Sequence, residues 1–208
     1  YSRPRQNGIN AITVRDGETL LEAKLTNGKC EILMGLRSGR ATRFPEEQVR
    51  AMGRNAAVVR GVTLSGEQDE VVGMVCAENS QTHILVVSEK GYGKRSDIED
   101  YRITNRGGKG VRTINITEKT GNLIALLGVL DEDDLMIITK SGVTIRTAVE
   151  QLRVMGRNTQ GVRLINLSKG ESIAAVARVD KDDEMEEGEG DVENQGEQGE
   201  NAVEPENE

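Results

Sequence analysis

Apolar residues along this chain come in short runs separated by polar and glycine-containing segments. The runs 32–36, 84–87 and 135–138 each lead into a turn glycine, Gly39, Gly91 and Gly142, at steps of 52 and 51 residues. Aliphatic runs closed by Ser-Gly or Lys-Gly predict the first arms of β-hairpins. A second apolar set, Ile9, Ile12 and Val14, recurs as Val59, Val62, Leu64, as Val111, Ile114, Ile116, and as Val162, Ile165, Leu167. A third set places a small residue inside a short strand: Ala23, Gly73, Ala125 and Ala175. All three sets keep steps of 50 to 52 residues, which defines an internal repeat. No stretch holds a 3.6-residue apolar period over a normal helix length. Segments 45–50, 96–101 and 147–152 are each long enough for a single turn.

Each repeat reads as four short strands: one carrying the small residue, the two arms of the hairpin, and a fourth after a long basic loop. Four strands per ~40–50 residues is the pattern of a propeller-like blade. The expected fold is therefore all-β. The units fall at 1–17 (the end of one blade), 18–68, 69–119 and 120–170, with a final strand at 171–179. Such blades bury their faces only against neighbours. The expectation is an open partial arc, a fragment that starts inside a repeat and is closed only by sequence before Tyr1.

Composition changes the picture at one end. The formal net charge is −8. Residues 180–208 hold 14 acids and one base, so the tail carries −13 and residues 1–179 carry +5. Such a tail cannot bury enough apolar surface to offset chain entropy, and disorder is expected there. A basic body with an acidic tail points to a polyanion partner, and the tethered tail is expected to compete with that partner. Cys30 and Cys76 are the only cysteines, which suggests a reducing compartment and no disulfide framework. No apolar run approaches the ~20 residues of a membrane span.

The cations repeat with the strands. Arg43, Arg95 and Arg146 follow the hairpin turn. Arg50, Arg102 and Arg153 begin the long loop, and Arg54, Arg106 and Arg157 sit at its middle. Arg60, Arg112 and Arg163 lie on the fourth strand, and Lys94 and Lys109 add charge to the middle unit. Charge placed alike on every blade predicts a basic stripe along one rim. The alternative role for a repeated Arg is an ion pair to a neighbouring blade, with Glu46, Asp97, Glu99 or Glu150 among the available partners. A rim of regularly spaced cations suits duplex backbone, which carries one charge per ~1.7 Å of axis. The aromatics are Tyr1, Phe44, Tyr92 and Tyr101. That is few for base stacking, and Tyr1 and Tyr101 fit structural positions at loop starts.

Other chemistry is thin. Gly108-Lys109 is not a phosphate-binding P-loop, because Ile103 and Gly110 stand where Gly and Ser or Thr are required. His83 is the only histidine and matches Glu31 and Asp134 in the other units, an ordinary polar strand end. The acid run 131–134 lacks the spacing of a calcium loop and reads as a solvated turn. No catalytic constellation stands out.

The stretch Asn105-Arg106-Gly107-Gly108-Lys109-Gly110 resembles the GyrA box, Q-R/K-G-G-R/K-G, found in the C-terminal domain of gyrase A proteins. Five of six positions match, with Asn105 in place of Gln. The M-G-R-N stretches at 52–55 and 155–158, the ~51-residue units and the acidic tail are similar to the same DNA gyrase family. The resemblance covers residues 1–179. It implies a β-pinwheel whose neighbouring blades exchange strands. It also implies that the rim wraps duplex DNA, in support of ATP-dependent negative supercoiling. It implies a parent enzyme that contains a gyrase B subunit, together with a second A subunit, and that uses ATP and Mg2+. That enzyme would work in the bacterial cytoplasm at the nucleoid, with no membrane partner. Neither a catalytic residue nor a cofactor is expected within this stretch. The family's principal box lies in its first blade, so the copy at 105–110 is either that box or a secondary one. A topoisomerase IV-type domain and an interaction propeller resembling regulator-of-chromosome-condensation repeats are the alternatives.

Overall fold

A computed structural model describes residues 7–53, 58–78 and 82–179. Turn chemistry sets the hairpins. Gly39, Gly91 and Gly142 take φ of 76, 83 and 88°, the left-handed conformation that a tight reversal needs. They join β1 (Glu31–Leu36) to β2 (Arg40–Pro45), β4 (His83–Ser88) to β5 (Tyr92–Asp97), and β8 (Asp134–Thr139) to β9 (Thr144–Ala148). A 3-10 turn follows each hairpin, at Glu46–Gln48, Ile98–Asp100 and Val149–Gln151, within the three short segments expected to turn. The remaining strands are β3 (Val71–Ala77), β6 (Val111–Arg112), β7 (Leu123–Val129), β10 (Val162–Arg163) and β11 (Ile173–Val179).

Sheet membership does not follow the sequence units. The strand order is β3-β1-β2-β6 in the first sheet, β7-β4-β5-β10 in the second and β11-β8-β9 in the third. Every ladder pairing is antiparallel. Each of the first two hairpins is flanked on both sides by strands of the next unit. Units 69–119 and 120–170 each supply the four expected strands, but each of the first two hairpins is clasped by its successor, the strand exchange that the resemblance implied. The fourth strands are also shorter than expected. Beyond Arg112 and Arg163 the chain leaves the ladder, with Thr113 N donating to Gly39 O at 2.9 Å and Leu164 N to Gly91 O at 2.8 Å.

The core lies between successive sheets. On β4, Ile84 and Val86 pack toward the first sheet with Leu33, Ala41 and Val75. Leu85 and Val87 pack toward the third with Leu135 and Ile137. A strand buried on both faces has no polar alternation, which is why this run is continuously apolar. Gly73 belongs to the small-residue set for a steric reason. A Cβ there would lie 2.7 Å from Leu126 O on the neighbouring sheet. The first members of the repeat sets lack these partners. Segments 8–16 and 18–27 form no strand, and Leu25 is 100% exposed.

Candidate nucleic-acid interface

The short strands β6 and β10 are the outer edges of the first two sheets. The loop before each edge strand runs beside the hairpin, bridging Arg43 to Ile103 and Arg95 to Val154. Each outer edge therefore carries a complete basic loop. The exposed cations on these loops and edges are Arg102, Lys109 and Arg112 in one repeat and Arg153 and Arg163 in the next. Arg50 and Arg60 are the exposed members of the preceding loop. Arg54 lies outside the described residues.

The box loop is built by backbone pairing with the preceding unit. Gly107 N donates to Gly61 O at 2.7 Å and Thr63 N to Gly108 O at 2.9 Å. Thr63 Oγ1 donates to Gly107 O at 2.6 Å. Gly110 has φ of 69°, and a Cβ on it would stand 2.7 Å from the carbonyl carbon of Ala41. Only glycine lets the loop lie this close to β2. Gly161 repeats the device against Gly93 one unit later. The box glycines thus do more than clear a surface, because Gly110 docks the loop onto its own sheet. Gly108 has no such constraint, since the nearest atom to its Cβ position is 3.6 Å away.

The mid-loop arginines are half-buried and tie units together. Arg106 Nε donates to Gln48 O at 3.0 Å and its NH1 to Arg60 O at 2.9 Å. Arg157 NH1 donates to Arg112 O at 2.8 Å, the equivalent bond one repeat on. Two residues that the repeat sets do not contain complete the loop. Gln48 Oε1 accepts from Arg106 N at 2.7 Å, while Arg40 donates to Lys109 O at 2.9 Å and Gly110 O at 2.6 Å. Tyr92 and Val143 stand at the positions equivalent to Arg40, and Asp100 replaces Gln48 in the middle unit. Periodicity therefore gives no consistent signal for this pair. Asn105 is exposed and receives a long bond of 3.4 Å from Gln48 Nε2.

One expected cation set points elsewhere. Arg43 is 5% exposed, Arg95 6% and Lys94 1%. Arg43 NH1 donates to Ile98 O at 2.7 Å and Tyr101 O at 2.9 Å, and its other nitrogens pair with Glu31 and Glu99. Arg95 bonds Leu152 O and Asp131. Arg146 is partly exposed and bonds Asp134 at 2.7 Å. This set closes each 3-10 turn or strand end against a carboxylate, and for the buried Arg43 and Arg95 the expectation of a surface role is corrected. Lys94 Nζ donates to Gly156 O at 2.6 Å and Thr159 Oγ1 at 3.1 Å, anchoring the M-G-R-N loop. Burial pushes its ammonium pKa down to about 8, because the charged form is poorly solvated.

The acid run 131–134 is a solvated turn only at Asp131 and Glu132, which are exposed, and its side chains are partly engaged. Asp131 and Asp134 take Arg95 and Arg146, and Asp133, 4% exposed, accepts from Leu130 N at 2.7 Å. His83 at the start of β4 reaches Asp97 at 3.1 Å, as a strand-end polar residue does. Phe44 and Tyr101 are buried, and the Tyr101 hydroxyl bonds Thr113 Oγ1. Burial pushes the Tyr101 pKa up to about 12. Neither ring is available to stack on a base.

The exposed pattern is thus two successive sheet edges, each offering uncompensated Arg or Lys. Cations fixed this way can contact phosphate oxygens without reading bases. Among the described residues no helix is long and apolar enough to cross a membrane.

Comparison with known proteins places this architecture. A family model described as "DNA gyrase C-terminal domain, beta-propeller" matches residues 37–78, 82–129 and 133–180, each match taking in the strand that closes a sheet, β3, β7 or β11. The chain is 46% identical over 187 residues to the DNA gyrase A protein of Staphylococcus aureus strain NCTC 8325 / PS 47, covering 89% of this chain and 21% of that protein. The strain MRSA252 protein is 46% identical over 183 residues, covering 88% and 20%. The chain therefore spans about a fifth of the length of these relatives. Among solved structures, a DNA gyrase A C-terminal domain superposes with a TM-score of 0.73 at 23% identity, covering 83% of this chain and 58% of that one. The C-terminal domain of a DNA topoisomerase IV superposes with a TM-score of 0.80 at 21% identity, covering 86% and 56%. At those identities the superpositions speak to fold, whereas the family match and the 46% identity speak to kinship. Repeated hairpins clasped by the next unit, with the box loop edging the first sheet, belong with that match, and the chain is a member of the DNA gyrase A C-terminal domain family.

Proposed function

We infer that this chain binds duplex DNA along its outer sheet edges and wraps it. The wrap would serve an enzyme that introduces negative supercoils. The observation that carries the reading is the contrast among the cations. Arg43, Lys94 and Arg95 are buried on internal partners, while Arg102, Lys109, Arg112, Arg153 and Arg163 are exposed on two successive edges. A protein needing only interblade ion pairs has no use for the second group. The partners of the assembled enzyme would be a gyrase B subunit together with a second A subunit, in the bacterial cytoplasm close to the nucleoid. Its ATP and Mg2+ are assigned to no residue of this chain, and no residue here is assigned to DNA cleavage. The buried state of Phe44 and Tyr101 disfavours an interaction propeller that presents aromatics to a protein partner.

The test is duplex binding at two salt concentrations, with Arg102→Ala/Arg153→Ala beside the unaltered chain. Each lost phosphate contact is expected to reduce the log–log salt slope by about 0.9, equally on unrelated sequences. Ligation of a nicked circle at saturating protein is expected to shift the linking number. An unaltered chain that binds no duplex, or a linking-number distribution equal to the protein-free control, overturns binding or wrapping respectively.

A further inference from the structure

A second concentration of positive charge lies off the box loops. At the turn of the second hairpin a cleft of about 580 Å3 opens between that hairpin and the 163–172 segment of the next unit. Lys90, Lys119, Lys140 and Arg163 line it around Tyr92. The Lys119 ammonium sits 5.3 Å from the Tyr92 ring centroid and the Arg163 guanidinium 5.5 Å from it. Arg163 NH2 also donates to the Tyr92 hydroxyl at 2.9 Å. One ring thus gathers two cations by its quadrupole, and a third contact fixes the arginine. The hydrogen bond from Arg163 also lowers the Tyr92 pKa, a further sign of positive surroundings.

Two carboxylates, Glu89 and Glu171, face the four cations. Glu171 already accepts from Ser141 Oγ and from Ser168 N at 3.2 Å. Lys90 Nζ donates to Glu118 O, a neutral carbonyl that leaves its charge in place. The cleft therefore keeps a positive excess.

The corresponding cleft of the preceding unit is different. There Ser38 stands for Lys90 and Glu67 for Lys119, while Arg40 stands for Tyr92 and Arg112 for Arg163. Asp69 accepts from Ser38 N at 2.9 Å and Ser65 N at 2.8 Å, and Arg37 pairs with Glu70 at 2.9 Å. The fold alone does not require a basic cleft at this junction. Arg163 is also a residue of β10, so the cleft is continuous with the outer edge of the second sheet.

We propose that this cleft receives a backbone phosphate of the bound duplex and fixes the register of the wrap at this junction. The proposal rests on the DNA-binding reading above. A phosphodiester suits the site because Arg and Lys donors converge on it. The Tyr92 ring is 7% exposed and already carries two cations, so it offers no face to a base. The DNA path then leaves the box edge and bends across the hairpin turn.

The test compares the unaltered chain with Lys119→Ala/Lys140→Ala. Both lysines are exposed, so the fold is not at risk. A control, Lys24→Ala/Lys29→Ala, removes the same charge from a different segment. Affinity for a non-specific duplex is measured between about 50 and 200 mM salt. The cleft variant is expected to bind about 10–100-fold more weakly at the low end, with a salt slope smaller by about 1–2, while the control shifts less. Millimolar inorganic tripolyphosphate is included to separate sources. Its binding to each form and its effect on duplex affinity are read against sodium chloride of equal ionic strength. Equal losses in the cleft variant and the control overturn the site in favour of net charge. An unchanged cleft variant beside a chain that does bind DNA overturns the cleft alone. Tripolyphosphate that binds the unaltered chain but not the variant, while the variant keeps full duplex affinity, reassigns the cleft to a free polyphosphate. An unaltered chain that binds no duplex overturns both readings.

Discussion

Whether an arginine is free is decided by atoms far away in sequence. Arg95 and Arg102 are seven residues apart, yet one is buried against Leu152 O and Asp131 and the other is exposed. Opposite outcomes are therefore expected on substitution. Arg95→Ala leaves the half-buried Leu152 carbonyl and Asp131 without their donor and is expected to cost about 1–2 kcal/mol in urea unfolding. Arg102→Ala is expected to stay within about 0.5 kcal/mol and to lose DNA affinity instead. Lys94 gives a pH signature. Its folded pKa of about 8 lies below the unfolded value, so below pH 8 both states hold the proton and the buried charge weakens the fold. As pH rises from about 8 toward 10 the folded state sheds its proton first. The unfolded state then binds more protons, and stability from this group rises. The Cys76 thiol, held above its ordinary value by burial, works in the opposite direction over part of this range. Unfolding midpoints at pH 7.5, 8.5 and 9.5 for the unaltered chain and Lys94→Met isolate the lysine. The expected difference shrinks with pH by on the order of 1–2 kcal/mol, and a difference independent of pH removes the titrating lysine from the account.

At the level of elements, the box loop is a docked segment whose glycines have separate duties. Gly110 combines positive φ with a backbone contact to β2 that no side chain could share. Gly110→Ala is expected to cost about 2 kcal/mol or more, since strain and overlap add. Faster hydrogen exchange at the amides of β6 and of Gly107 would report the undocking. Gly108→Ala meets nothing closer than ordinary contact. It is expected to fold normally, and a selective loss of DNA affinity there would place the duplex against that glycine. The hairpin positions and the single turns after them were legible in sequence, because a short glycine-bearing reversal and its flanking runs are local signals. Arg40 and Gln48, which hold the box loop, were not. Their partners lie about 60 to 70 residues away and are backbone carbonyls and amides, which leave no trace in a motif.

For the whole molecule, the charges divide between a body of +5 and a tail of −13. Residues 180–208 lie outside the described residues, so the prediction rests on charge and tether length. A coil of ~29 residues would span roughly 30 Å, and a tether of that length would hold the acids at high effective concentration near the basic edges. Removal of 180–208 is expected to tighten duplex binding at low salt, with the gain shrinking as screening rises. Equal affinity of the two forms at low salt would leave the tail as a solubility feature.

Local sequence was enough for the repeat, the β-class of its elements, the hairpin turns and the set of recurring cations. These follow from periodicity, turn stereochemistry and counting, which need no partner. Which strands share a sheet, and which cations remain free, was settled only by assembly. The apolar face of β3 reads the same whether it pairs with the hairpin before it or after it; in the fold it pairs with β1, and Gly73 lets Leu126 of β7 approach from the next sheet. Likewise Arg43 and Arg50 look alike in a periodic alignment. The first is withdrawn from the surface because Ile98 O, Tyr101 O and two carboxylates converge on it once the second sheet stacks on the first. A charge is available to a partner only where the fold has not already given it one, and that is a property of the assembled sheets.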